Sequence, residues 1–311
     1  MQEVITKQNG NIAFIEETHK YFDVTDPEAV FTSVTTMIHS YTQPFDKDFW
    51  SAYKALEKLL PKDVWNVEKK SLLNTKKFDK KNTRVIAHRG LSGIEVENTC
   101  SAFVAAGNRS YYGIETDIHR TADGRFVVGH DDNLKRIAGE EIYLEKTTLK
   151  TIQSVVLFDK DGQKGREDLR PCTLENYLSI VKKYEKHAIL ELKSEFTQEE
   201  IDKIIEIIKS YDYLDNLTFI SFIYDNLLKV KKTLPNQSAQ YLFWKVTREE
   251  VEKLKNDKID VDVWCKELTK EQIDLCHEYG LTVNCWTVDE IENGEQFASW
   301  GIDFITSNIL E

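Results

Sequence analysis

From Arg84 onward the sequence alternates short β-branched runs with longer stretches whose apolar residues recur three and four apart. The runs fall at 84–88, 113–118, 187–193, 217–221, 239–244, 259–263, 281–286 and 302–306. The stretches between them, such as 197–211, 224–234, 269–280 and 289–300, keep Glu and Lys on the face opposite the apolar stripe. Strand-period runs separated by helix-period stretches are repeated βα units and imply a parallel sheet. Eight such strands with seven helical regions in residues 84–311 predict an α/β fold, a TIM (β/α)8 barrel, whose usual size is about 250 residues. A doubly wound open sheet is the competing arrangement. Only five residues follow Thr306, too few for an eighth outer helix, so the barrel is expected to lack a normal last helix.

Residues 1–80 stand apart as a small α+β N-terminal region, with helical patterns near 46–60 and 62–73. Its expected role is to cover the gap left by the missing helix or to dock a partner that the sequence does not identify. The first 83 residues carry 12 basic and 12 acidic side chains, so the net charge of −12 falls entirely on residues 84–311. A barrel of that charge repels nucleic acid and anionic lipid. The Lys-rich stretch 69–81 reads as a solvated helix end and linker.

No apolar run approaches the roughly 20 residues that a bilayer crossing needs, and the opening MQEVITKQNGNI lacks the apolar core of a secretion signal. The expected location is therefore cytoplasmic. The five cysteines, Cys100, Cys172, Cys265, Cys276 and Cys285, are scattered without a CxxC pair, and are read as reduced, mostly buried thiols.

Chemistry concentrates at the ends of the first three long strands. VIAHRG delivers His88 and Arg89 to a C-terminal strand end, where Gly90 permits a close turn. In GIETDIH, Glu115 and Asp117 are two apart and share a face; in a barrel that face is the interior, because Ile114, Thr116 and Ile118 need the helical layer. ILELK repeats the device with Glu191 and Lys193. Three converging carboxylates repel one another and lose hydration, and a bound cation offsets both costs. Oxygen ligands without cysteine suit one hard divalent cation, Mg²⁺ or Ca²⁺. A set of buried salt bridges to Arg89 and Lys193 is the alternative. The segment ADGRFVVGHDD adds a short strand at 126–128 and places His130 at its end. Two imidazoles, a cation, an arginine and a lysine are the parts that phosphodiester cleavage requires.

The ordered motifs VIAHRG, VENT, IETDIHRTADGRFVVGHDDNLKR, PCTLENYL, ILELK, NCWTVD and GIDFITSN closely resemble the glycerophosphodiester phosphodiesterase family, from about residue 84 to 308. The resemblance implies a metal-dependent hydrolase of lipid and glycerol metabolism that releases glycerol 3-phosphate and an alcohol. On the matching positions it implies that His88 and His130 are the acid/base pair and that Glu115, Asp117 and Glu191 hold the metal. Arg89 and Lys193 match phosphate-contacting positions, and Trp286 matches an aromatic beside the glycerol moiety, with Phe222 a second candidate. The implied mechanism uses the neighbouring glycerol hydroxyl as internal nucleophile. Two departures stand out: the family's Pro before ENT is Val96 here, and its acidic residue and Pro after the last strand's Thr give way to Ser307 and Asn308.

The expected substrate is a small glycerophosphodiester. The same chemistry on a glycerol-phosphate polymer such as teichoic acid, and a non-catalytic binding module on a retained barrel, are the other readings. More faintly, AFIEETHKYFDV, SVTTMI and FDKDFW resemble the opening of phage-type PD-(D/E)xK exonucleases. That likeness reaches none of a nuclease's metal ligands, and no nuclease activity is expected; His19 and His39 are expected to be structural or exposed.

Overall fold

The computed structural model describes the backbone at residues 5–9, 12–15 and 20–23 and the whole of residues 74–311. The helical patterns at 46–60 and 62–73, the SVTTMI and FDKDFW segments, and His19 and His39 lie outside the described residues. The chain divides into two compact units, Met1–Thr75 with Phe158–Gly165, and Lys76–Leu157 with Arg166–Glu311. In the first, β1 (Ile5–Asn9), β2 (Ile12–Ile15) and β3 (Lys20–Asp23) form an antiparallel sheet in that order.

The second unit is a closed barrel of eight parallel strands: β4 (Arg84–Ala87), β5 (Gly113–Arg120), β7 (His187–Leu192), β8 (Leu217–Ser221), β9 (Ala239–Phe243), β10 (Asp260–Trp264), β11 (Val283–Trp286) and β12 (Phe304–Ser307). The last strand pairs with β4, and β4 with β5, which excludes the open sheet. The short β6 (Phe126–Val128) adds to β5 antiparallel. All eight runs expected from the sequence are strands, with ends displaced by at most two residues.

Period-two patterning sorts the side chains into two apolar layers. Val85, Ala87, Ile114, Ile118, Leu190 and Leu192 pack under the helices, whereas Ile86, Ile189, Ile220 and Leu242 fill a layer inside the barrel. Several of the helices start where threonine supplies a cap. Thr173, Thr197, Thr247 and Thr269 each accept from the backbone N–H three residues on, and the side chain there returns the bond. In helix Gln198–Ser210 the buried residues are Ile201, Ile204, Ile205 and Ile208, a stripe facing the sheet.

No helix follows β12 among the described residues. Residues 309–311 pair instead with Lys76, whose N–H donates to Ile309 O at 3.0 Å and whose carbonyl accepts from Glu311 N at 2.9 Å. Leu310 is buried in the core against which Phe78 also packs. Residues 76–78 thus supply part of the cover that a last helix would give. None of the described helices is long and apolar enough to cross a membrane.

Candidate active site

The C-terminal ends of the barrel strands surround one pocket, lined by His88, Arg89, Glu115, His130, Glu191, Lys193, Phe222 and Trp286 together with Asp262. This rim is where a TIM barrel carries its chemistry. Asp117 belongs to the same place: the register sets Asp117 beside Glu191 across β5 and β7. Ligand oxygens of Glu115, Asp117 and Glu191 all lie within 4.8 Å of one another. The structure therefore brings together the nine candidate site residues, His88, Arg89, Glu115, Asp117, His130, Glu191, Lys193, Phe222 and Trp286.

The HRG turn explains its own glycine. Arg89 and Gly90 both have positive φ, 53° and 76°, and a Cβ on Gly90 would stand 2.7 Å from the backbone of Ala102. The turn aims Arg89 N–H at Glu115 Oε2, 2.7 Å away. Asn98, from the ENT segment, donates from Nδ2 to Asp117 Oδ2 at 2.7 Å and accepts from Thr116 Oγ1 at 2.8 Å. Glu97 accepts from Arg89 Nη1 at 2.9 Å and from both terminal nitrogens of Arg136 at 2.7 Å. Burial pushes the Glu97 carboxyl up, but Arg136 and Arg89 outweigh it and hold the group down at about 2. Lys193 Nζ lies 3.0 Å from Glu191 and 3.6 Å from Asp117. The salt bridges of the alternative reading are thus present, but they leave the cluster unbalanced.

The imbalance is visible in the carboxyl groups. Burial, then the neighbouring Asp117, raises Glu191 to about 8. Burial with Asp117 and Glu191 raises Glu115 well above the usual range. Asp117 resists the same burial, because Arg89 and Lys193 hold it ionised. Its Oδ1 is buried and has no hydrogen-bond donor among the described residues. A buried, ionised oxygen without a donor, beside two carboxyls that ionise reluctantly, fits a hard divalent cation.

Each histidine is held by one ring nitrogen. His88 Nδ1 lies 2.8 Å from Asn308 Oδ1. Asn308 Nδ2 donates to Asp289 Oδ2 at 2.6 Å, so the amide oxygen must face the imidazole and Nδ1–H is the donor. Burial, then the charge of Arg89, pushes His88 down to about 3. It is neutral at pH 7, with its lone pair on Nε2. His130 Nδ1 donates to Asp131 Oδ1 at 2.8 Å, and Asp131 Oδ2 also accepts from Arg136 Nε at 2.7 Å.

Sequence reasoning missed Glu97, Asn98, Asp131, Arg136, Asp262, Asp289 and Asn308. Some had a signal: Glu97 and Asn98 lie in a motif whose role was not assigned, Asn308 stood out as a departure, and Asp260 and Asp262 repeat the two-apart acidic spacing of Glu115 and Asp117. Asp262 is buried at the pocket, with an Oδ1 that lacks a hydrogen-bond partner among the described residues. Phe222 and Trp286 meet edge-to-face at 5.5 Å and continue outward into the exposed Trp244, 5.6 and 5.4 Å from them.

Ionisable side chains gathered at the C-terminal end of a closed parallel barrel occupy the place where enzymes of the TIM-barrel class carry their chemistry. The sequence model of the glycerophosphoryl diester phosphodiesterase family matches residues 88–310, and the chain belongs to that family. A glycerophosphodiester phosphodiesterase of Caldanaerobacter subterraneus subsp. tengcongensis is 28% identical over 235 residues, covering 73% of this chain and 94% of that one. Among solved structures, an Oleispira antarctica phosphodiesterase in complex with the product sn-glycerol-3-phosphate superposes with a TM-score of 0.68 at 25% identity, over 75% of this chain and 96% of the other. A glycerophosphodiester phosphodiesterase from Parabacteroides distasonis gives 0.62 at 29% identity, over 73% and 93%.

Proposed function

We propose that the chain hydrolyses small glycerophosphodiesters to glycerol 3-phosphate and an alcohol, with a divalent cation, Mg²⁺ or Ca²⁺, held by Glu115, Asp117 and Glu191. The observation that carries this reading is the acidic cluster with its donorless Asp117 Oδ1, set in one pocket with two imidazoles. The product bound to the Oleispira antarctica relative supports the substrate class. Such a cation supplies Lewis-acid stabilisation of charge on the phosphate oxygens.

The protein's own groups divide the remaining work. Arg89 and Lys193 bind the non-bridging oxygens and orient the ester. His88, neutral and held through Nδ1, accepts at Nε2 the proton of the attacking hydroxyl. His130, oriented by Asp131, gives a proton from Nε2 to the leaving alcohol. Trp286 and Phe222 wall the glycerol moiety. The attacking hydroxyl is the glycerol one next to the phosphate, which has a large effective-molarity advantage over water. His130 then draws the proton from the water that opens the cyclic phosphate, and His88 returns one to the departing ring oxygen.

Release of glycerol 3-phosphate from glycerophosphocholine, abolished by a chelator and restored by Mg²⁺ or Ca²⁺, is the expected result. Release that persists in chelator would overturn the metal assignment. A diester whose glycerol lacks the hydroxyl next to the phosphate is expected to turn over at least about 10²-fold more slowly; equal rates would exclude the internal route. Asn308→Ala is expected to lower kcat about 10²-fold with KM little changed, because the Nδ1–H tautomer of His88 loses its acceptor. An unaltered kcat would remove Asn308 from the machinery.

A further inference from the structure

The sequence scatters its five cysteines, but the fold does not. Cys100 and Cys172 are 72 positions apart, and their sulfurs lie 2.6 Å from each other. Non-bonded heavy atoms settle at about 3.5 to 4.0 Å, and a disulfide bond is about 2.05 Å long. The pair is closer to bonding distance than to van der Waals contact. We propose that Cys100 and Cys172 are a cystine-forming pair that clasps the two segments supporting the active site, closed by a peroxide-class oxidant and opened by a thiol.

The placement gives the bond its meaning. Cys100 opens helix Cys100–Gly107, directly after Thr99, its cap. Just before it stand Glu97 and Asn98, which hold Arg89 and Asp117. Cys172 precedes Thr173, the cap of helix Leu174–Lys183. Its carbonyl accepts from Val128 N at 2.9 Å, and the next residue, Gly129, donates to Asp117 O at 3.0 Å. The segment from Val128 runs straight into His130. A bond between the two sulfurs would therefore join the segment that positions the acidic cluster to the segment that hydrogen-bonds the strand leading to the second imidazole.

The chemistry assigns the order of events. Cys172 is buried, whereas Cys100 is partly exposed and takes the oxidant. The hydrogen bond from Cys172 holds the Cys100 thiol below its ordinary value, against burial, and pushes Cys172 up. The Cys100 thiolate attacks one peroxide oxygen, the O–O bond breaks, and the other oxygen leaves as water after protonation, giving a sulfenic acid. The Cys172 sulfur then attacks the Cys100 sulfur, its proton leaving with the sulfenic oxygen as a second water. Two thiols lose two electrons and the peroxide gains them.

The experiment treats the full chain with hydrogen peroxide, alkylates it under denaturing conditions and maps the digest by mass spectrometry. The expected result is a fall from five alkylated cysteines to three, with one linked peptide joining Cys100 to Cys172 within a single chain. The oxidised chain melts about 5 °C or more higher, and dithiothreitol reverses the shift. Cys100→Ser and Cys172→Ser each abolish both changes, and Cys265→Ser leaves them intact. Five alkylated cysteines after peroxide, a link through Cys265, Cys276 or Cys285, a link between chains, or Cys100 trapped as a sulfinic acid would each overturn the proposal. The wild-type map alone decides it, even where a serine variant fails to fold.

Discussion

Replacing His88 or His130 by alanine is expected to lower kcat by about 10²- to 10⁴-fold while the protein remains folded. The two losses arise differently. His88 is neutral because burial and Arg89 oppose its charge, so its removal deletes a proton acceptor already in the working state. His130 leans on Asp131, and in the proposed mechanism its removal leaves the leaving alcohol without a proton source. A substrate with a very acidic leaving group, such as a nitrophenyl ester, is therefore expected to rescue His130→Ala and not His88→Ala. Circular dichroism and a thermal melt check folding in the same samples, and an unchanged kcat in either variant would contradict its role.

The second large effect concerns the acidic cluster. Glu191→Gln is expected to abolish tight divalent-cation binding in calorimetry and to cost about 10³-fold in activity, on the scale of several kcal/mol of lost charge stabilisation. The same substitution is expected to leave the melting temperature of the metal-free protein little changed at pH 6.5, because the Glu191 carboxyl, raised to about 8, is then mostly protonated and glutamine replaces one neutral group by another. The wild-type protein without metal carries a matching pH signature. Its Glu191 carboxyl is raised to about 8 from an ordinary 4.5, so between pH 6.5 and 8 the folded chain holds a proton that the unfolded chain has lost. Stability then falls as pH rises, by at most about 1.4 kcal/mol per pH unit for such a group. The histidines His88, His119 and His187, all displaced downward, add a slope of opposite sign that partly offsets this one near pH 6.5 and fades above it. Bound Mg²⁺ keeps the carboxylates ionised and flattens it, with proton release on binding. Melts at pH 6.5 and 8, in chelator and in Mg²⁺, measure both; a metal-free protein with no slope would remove the premise.

How far these residues could be read beforehand follows from the distance over which each signal acts. Glu115 and Asp117 were legible because a strand's period of two obliges them to share a face, and the flanking isoleucines decide which face that is. Barrel closure was legible from eight repeats of one unit. Asn308 was visible only as a departure from a pattern, since its contact with His88 spans 220 positions. Arg136 and Glu97 are 39 apart, with a helix and two strands between them, and no local period brings the short helix Lys135–Ala138 back to the ENT segment. The proximity of Cys100 and Cys172 likewise depends on how two helices pack, which no local rule specifies. The pairing of Lys76 with residues 309–311 was not legible, because no local pattern joins the segment before β4 to the segment after β12.

The His88–Asn308 bond crosses the seam between β4 and β12, the first and last staves of the barrel. All three acids and both imidazoles precede β8 in the sequence, whereas the acceptor of His88 Nδ1 is supplied from just beyond β12. On the proposed role of His88, full activity therefore depends on the closing stave being in place, and loosening β12 is expected to weaken catalysis without touching any of the three acids.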